Sequence, residues 1–317
     1  MASSKQSDWR RWLIGDFTLK RLVRSLLFIY LFFMAYVFVA ADRMIFLPPA
    51  SSYTDTPDII KVPVPSSSTQ LSAMYLPALP AVSTQPTLAT QQSLPAPSTD
   101  STSSNDQPTH STAKAPIPYT ILYSHGNAED LGLIRPILHI VQNAGLSVFA
   151  YDYPGYGTSS GKPTEQSVYE AIDAAYTYLT DTLHVPTNRI IVYGRSVGGG
   201  PATYLASQDT KAIAGLILES TFTSAFRTVV PFPILPFDKF PNAHHLQQFQ
   251  GPILIIHGTD DQTIAFHHGE TLFEQATGEK QFVIIEQAGH DDLVWVAGDR
   301  YPQALQSFIK LVHRLNY

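Results

Sequence analysis

Hydrophobic and polar positions alternate along this chain in four regimes. From 25 to 41 seventeen residues carry no charge and are apolar on every face, which predicts a continuous helix. At ~1.5 Å per residue this run is about 25 Å long, the short end of what a bilayer accepts. Two short strand-like runs follow, Ile59-Ile60-Lys61-Val62-Pro63-Val64 and Leu71-Ser72-Ala73-Met74-Tyr75-Leu76, and their proximity suggests an antiparallel hairpin. Residues 84–116 contain no aromatic side chain and are rich in Ser, Thr, Pro and Gln. That stretch cannot bury enough apolar surface to offset its ordering entropy, so it is expected to be disordered. Placed after the hairpin, it reads as an insertion in a surface loop better than as a linker to the anchor, and long insertions cost little closure entropy.

From 118 onward the period switches back and forth between strand and helix. Strands are expected at 120–123, 146–151, 189–193, 215–219, from 253 and at 282–285, and helices at 131–142, 165–183, 201–206, 266–276 and 301–315. In the second of these helices Val168, Ile172, Leu179 and Leu183 fall on one stripe. Such alternation predicts an α/β architecture: a mostly parallel central sheet with helices on both faces and ligands bound beyond the carboxyl ends of the strands.

Charge sharpens the first regime. The net charge is −6, yet the first 24 residues hold Lys5, Arg10, Arg11, Lys20, Arg21 and Arg24 against only Asp8 and Asp16. The expected organisation is therefore a basic cytoplasmic tail (1–24), a transmembrane anchor (25–41) and an enzyme domain (42–317) carrying the insert. Positive charge before the span puts the amino terminus in the cytoplasm and the enzyme on the far, periplasmic or lumenal, side. Cleavage as a signal peptide is the rival reading, because Val39-Ala40-Ala41 offers small residues before Asp42. The acidic body argues against nucleic acid as a partner. With no cysteine in the chain, disulfides, thiol catalysis and thiolate metal sites are excluded. Nothing in the sequence signals a metal or an organic cofactor.

The chemistry is concentrated at three strand ends. Gly194-Arg195-Ser196-Val197-Gly198 sits between a β-branched strand and a small-residue helix, the strand–turn–helix setting of a G-x-S-x-G nucleophile elbow. The pentapeptide alone has a chance probability of about 10% in a chain this long, given roughly 7% Gly. Its partners make it informative. Ile255-Ile256-His257-Gly258-Thr259-Asp260-Asp261 carries two carboxylates after a strand, and Ala288-Gly289-His290-Asp291-Asp292 follows another. The order Ser, Asp, His matches one of the known triad arrangements and differs from the two best-known protease orders. Ser196 is then the nucleophile and His290 the general base, because a serine hydroxyl needs an adjacent base at neutral pH. Asp261 is the first choice to orient His290, with Asp260 as the alternative. For the oxyanion hole the amide of Val197 follows the nucleophile, and the loop Tyr123-Ser124-His125-Gly126-Asn127 supplies the second donor, Asn127, or else Ala128.

Five stretches together resemble the α/β-hydrolase superfamily, within its small membrane-associated abhydrolase-domain group. They are Ser124-His125-Gly126-Asn127-Ala128-Glu129-Asp130-Leu131-Gly132, Tyr151-Asp152-Tyr153-Pro154-Gly155-Tyr156-Gly157, the elbow, Ile256-His257-Gly258-Thr259-Asp260-Asp261, and Ala288-Gly289-His290. Arg43-Met44-Ile45-Phe46-Leu47-Pro48-Pro49 also resembles anchored members of the group. Serine-aminopeptidase-like hydrolases and protein depalmitoylases are similar in their cores. The resemblance implies the α/β-hydrolase fold and a Ser-His-Asp triad in which the second acid of the His-Gly-x-x-Asp motif, here Asp261, is the member. Departures are the low-complexity insert and Gly199-Gly200 after the elbow.

Only 28 residues, 222–249, separate two core strands, enough for a small flap but not a large helical cap. Its centre, Val229-Val230-Pro231-Phe232-Pro233-Ile234-Leu235-Pro236-Phe237, is apolar. A membrane-anchored serine hydrolase acting on acyl esters or acyl thioesters, lipids and lipidated molecules included, is the expected function. A serine aminopeptidase and a catalytically silent, membrane-tethered binding module are the alternatives. Oligomeric state is not legible.

Overall fold

The computed structural model describes residues 19–79 and 118–316. Most of the basic tail and the whole low-complexity stretch at 84–116 lie outside the described residues. The chain begins its described course in a long helix, α1 (Leu19–Ile45), then enters the hairpin strands β1 (Ile59–Pro63) and β2 (Gln70–Leu76). After residues 80–117 come β3 (Thr120–Ser124), α2 (Leu131–Asn143), β4 (Ser147–Tyr151), α3 (Glu165–Thr177), β5 (Ile190–Arg195), α4 (Gly199–Ala206) and β6 (Gly215–Glu219). The flap region holds the short α5 (Asn242–Leu246). It leads to β7 (Ile253–Gly258), α6 (His267–Gln275), β8 (Lys280–Ile285), α7 (Leu293–Ala297) and α8 (Arg300–Asn316).

The eight strands form one sheet in the order β1-β2-β4-β3-β5-β6-β7-β8. The hairpin strands pair antiparallel, β2 joins β4 antiparallel, and every pair from β4 to β8 is parallel. This is the α/β-hydrolase architecture. The β-branched run of β5 is buried throughout, as a strand covered on both faces must be. Successive side chains alternate between two cores. Ile190 and Val192 pack with α3 and α4, while Ile191 and Tyr193 pack with α2 and α8. On α8 the residues Tyr301, Leu305, Phe308 and Val312 make the stripe that closes the second core.

Local chemistry sets the helix starts that matter for the site. Asp130 caps α2 by accepting the Leu133 amide at 3.0 Å, and the Ser52 amide donates to its second oxygen at 2.7 Å. Thr164 and Ser167 form a reciprocal capping box at α3. The stripe expected on α3 continues past its end through a π-helical turn, Tyr178–Thr182, which keeps Leu179 in the core.

Helix α1 runs longer than its uncharged stretch, and none of its most apolar eighteen-residue window is buried; the mean hydropathy there is 2.2. By length and composition it is a candidate membrane span. Its last turns meet the sheet domain. Ala41 is buried, Lys239 bridges Asp42 (3.1 Å) and Glu165 (3.2 Å), and Phe46 packs edge-on against Phe240.

Candidate active site

Strand β5 delivers Ser196 at a turn so sharp that its φ is +53°, in the left-handed region that a non-glycine residue occupies only when its surroundings impose it. The surroundings do so through glycine. A Cβ on Gly194 would strike the Gly198 carbonyl, and one on Gly198 would strike the Ser124 carbonyl. The elbow therefore closes only with these two positions bare. Thr221 secures it by donating to the Ser196 carbonyl at 2.6 Å.

The structure brings Ser196, His290 and Asp261 into one hydrogen-bonded series. His290 Nε2 lies 2.9 Å from Ser196 Oγ, and His290 Nδ1 lies 2.7 Å from Asp261 Oδ2. A carboxylate can only accept, so the ring proton sits on Nδ1 and Nε2 is left free to accept from the serine hydroxyl. Asp261 is well suited to this. Burial opposes its charge, but hydrogen bonds from His257, His290 and the Ile264 amide outweigh burial and hold the carboxyl well below its ordinary range. Its other oxygen accepts the amides of Thr263 (2.9 Å) and Ile264 (2.7 Å). Asp260 is exposed and meets the Thr259 hydroxyl instead, so of the two candidate carboxylates only Asp261 faces His290.

Asn127 and Val197 line the same cavity as Ser196. The Asn127 side chain has a second engagement that the sequence did not suggest. Its Nδ2 donates to the Ile45 carbonyl at 2.6 Å, and its Oδ1 accepts from the Leu47 amide (3.0 Å) and the Tyr156 hydroxyl (2.6 Å). The loop after β3 is thus clamped to the end of α1. His125 lies beneath that loop, fully buried, with Nδ1 donating to the Gly126 carbonyl at 2.7 Å. It shapes the loop and does not reach Ser196.

Sequence reasoning missed the charge network behind the elbow. Arg195 is buried and pairs across the strands with Glu219, which is fully buried (Nε to Oε1 3.1 Å), and also with Glu129. Its Nη2 donates to the main-chain carbonyl of His290 at 2.9 Å. The hydroxyls of Tyr193 and Tyr301 complete the ring around Glu219. Burial alone would lower the Arg195 pKa, but the two carboxylates reverse this and raise it above its ordinary value. The available signal was an arginine inside an otherwise small-residue turn, which requires an anion nearby.

Above Ser196 lies a cavity of about 380 Å³, within the usual range for small-molecule sites. One wall is the flap, and the other is helix α1, which contributes Phe33, Val37 and Met44. Phe38 meets Phe237 edge-on with ring centroids 5.5 Å apart, and the Tyr30 hydroxyl donates to the Ile234 carbonyl at 2.9 Å. Among the described residues the cavity is lined by one carboxylate, Asp238, which is already engaged by the Ser224 hydroxyl (2.7 Å) and the amides of Phe226 (2.9 Å) and Lys239 (2.8 Å). Among the described residues no cluster of three or more His, Asp or Glu side chains is placed to hold a metal ion.

A sheet of this order, with a strained serine at the end of β5, defines a class, and comparison with known proteins agrees: the chain has the α/β-hydrolase fold and is similar in sequence to proteins of that superfamily. The family model described as a hydrolase of the serine aminopeptidase, S33, type matches residues 116–238. The chain is similar to alpha/beta hydrolase domain-containing protein 17B of Homo sapiens, 38% identical over 194 residues, covering 60% of this chain and 66% of the relative. It is likewise similar to the alpha/beta hydrolase domain-containing protein aho-3 of Caenorhabditis elegans, 38% identical over 196 residues, with 61% and 58% covered. The match thus spans slightly less than two thirds of these curated relatives. Among solved structures, an esterase of Pyrococcus furiosus superposes with a TM-score of 0.60 at 16% identity, covering 83% of this chain and 98% of that one. The esterase domain of a Rhodothermus marinus protein gives 0.50 at 16% identity, with 81% and 97% covered. At such identities the likeness is one of fold.

Proposed function

We propose that this protein is a membrane-anchored serine hydrolase that cleaves acyl esters or thioesters through an acyl-enzyme. The observation that carries the reading is the Ser196–His290–Asp261 series at the floor of an apolar cavity. Ser196 Oγ attacks the acyl carbonyl and its proton passes to His290 Nε2. The alcohol or thiol leaves with that proton, and the acyl group stays on Ser196. Water then attacks the acyl-enzyme, again giving its proton to His290, and the fatty acid departs as serine is restored. Asp261 holds the ring tautomer and stabilises the imidazolium. The amides of Val197 and Asn127 receive the oxyanion. No cofactor is required.

The apolar lining favours an acyl chain. The serine-aminopeptidase alternative needs a carboxylate free to hold a substrate ammonium, and Asp238, within reach of the cavity, already accepts three hydrogen bonds. The anchor is α1, with the amino terminus cytoplasmic and the hydrolase on the extracytoplasmic side. The test is fluorophosphonate labelling of the detergent-solubilised full chain beside Ser196→Ala, followed by acyl esters and thioesters of graded length against aminoacyl arylamides. Labelling lost in the variant, with esters or thioesters turned over and arylamides not, is the expected result. Faster cleavage of arylamides overturns the ester reading, and absence of labelling in folded wild type leaves a binding module.

A further inference from the structure

We infer that the flap, 229–237, is embedded in the bilayer beside α1, so that the cavity over Ser196 opens into hydrocarbon and receives its acyl chain sideways from the membrane. The inference rests on the reading of α1 as a span, and not on which bond is cleaved.

The geometry leaves little choice. The flap and cavity engage α1 from Tyr30 to Ala41: Tyr30 binds the Ile234 carbonyl, Phe38 packs on Phe237, and Phe33 and Val37 face the cavity. Eleven residues of helix separate those limits, about 16 Å. If water covered the flap, only chain before Tyr30 could lie in the hydrocarbon; the described helix gives it residues 19–29, again about 16 Å against a core of about 30 Å, and the residues ahead of them hold Arg10, Arg11 and Asp16. That remnant also carries Lys20, Arg21 and Arg24. It cannot cross. A spanning α1 with its observed contacts therefore takes the flap in with it.

The flap is composed for that solvent. Its nine residues include no polar or charged side chain, and Val229, Phe232 and Ile234 are exposed, at 84%, 61% and 44%. An irregular segment in hydrocarbon is penalised through its unpaired amides. Here Pro231, Pro233 and Pro236 have no N–H to pair. The Val229 and Val230 amides donate to the Phe226 carbonyl, and the Ile234 carbonyl takes the Tyr30 hydroxyl. Charge resumes at both ends, with Arg227 before the flap and Asp238 and Lys239 after it, where an interface would lie.

The chain has no cysteine, so single reporters can be introduced cleanly. Phe232→Cys and Val229→Cys probe the flap, and Leu27→Cys marks the span. Asp209→Cys, in the exposed turn between α4 and β6 at the amino ends of the strands, marks the aqueous side. Each full-length variant is labelled with an NBD fluorophore, reconstituted in phosphatidylcholine vesicles, and quenched with phosphatidylcholine carrying a nitroxide on its acyl chain. The expected result is a blue-shifted emission and a loss of fluorescence at both flap positions comparable with that at Leu27→Cys, and neither change at Asp209→Cys. Quenching at Leu27→Cys without quenching at either flap position overturns the inference. No quenching at Leu27→Cys removes the span reading, and the inference with it, while leaving hydrolysis to be judged by its own assay.

Discussion

Replacing Arg195 with methionine tests whether the elbow depends on the charges behind it. The guanidinium is almost fully enclosed, with Glu219 fully buried beside it at 3.1 Å and a further hydrogen bond to the His290 carbonyl at 2.9 Å. Methionine fills similar volume but leaves the Glu219 carboxylate without its cation. Removing one partner of a buried pair costs roughly 3–5 kcal/mol, chiefly because the remaining charge is stranded. The Tyr193 and Tyr301 hydroxyls still donate to Glu219, so the lower end of that range is expected. For a domain of this size that is a drop in Tm of about 6–12 °C, read by circular dichroism of the full chain in detergent. Adding Glu219→Gln removes the stranded charge, and the double variant should recover about 1–3 kcal/mol relative to additivity. Fluorophosphonate labelling should slow as well, since the His290 loop loses its main-chain anchor. A Tm within about 2 °C of wild type, or strictly additive single effects, would refute the argument.

Other expectations follow from the same geometry. Asp261→Asn should lower kcat by roughly 10³–10⁴ by leaving His290 in the wrong tautomer, while Asp260→Asn, on an exposed carboxylate turned toward Thr259, should leave steady-state rates within about twofold. His268 is buried and its pKa is pushed down to about 4, first by burial and then by His267. Since the unfolded value is 6.5, the neutral folded form is favoured above that pH, and the stabilisation is lost as pH falls from 6.5 toward 4. Denaturant titrations across that interval should show wild type losing on the order of 2 kcal/mol and His268→Asn losing less. Asn127→Ala removes three hydrogen bonds joining the loop after β3 to Ile45, Leu47 and Tyr156. It should destabilise by about 1–3 kcal/mol and reduce kcat more than it raises KM. Urea midpoints and ester kinetics check both parts.

Much of the architecture is legible because strand and helix periods differ. The strands at 120, 189, 215 and 253 sit in largely apolar, fully buried runs, and glycines and caps mark the ends of elements. Ser196 and His290 can be read from motif and order alone. The choice between Asp260 and Asp261 is not available from spacing, since adjacent residues point to opposite sides and only the turn accepting the Thr263 and Ile264 amides decides which one faces inward. Long-range pairing is the larger gap. Nothing in the string around Arg195 names Glu219, because the two meet through strand register across 24 residues of chain. Nor does composition connect Tyr30 with Ile234, 204 residues away. The uncharged run predicts a span, but the helix extends over 19–45, and its inner wall against the flap comes from tertiary contact alone.

The clamp at Asn127 bears on how such a molecule is mounted. An enzyme joined to its membrane by a slack leash sweeps out a hemisphere and meets lipids by chance. With α1 as the proposed anchor, its last turn is bolted to the loop beside Ser196, with Lys239 as a second rivet to Asp42. Swivel is removed, and the mouth keeps one bearing relative to the helix axis. A helix so mounted would work less as a tether than as a gunsight, aiming Ser196 before any substrate arrives.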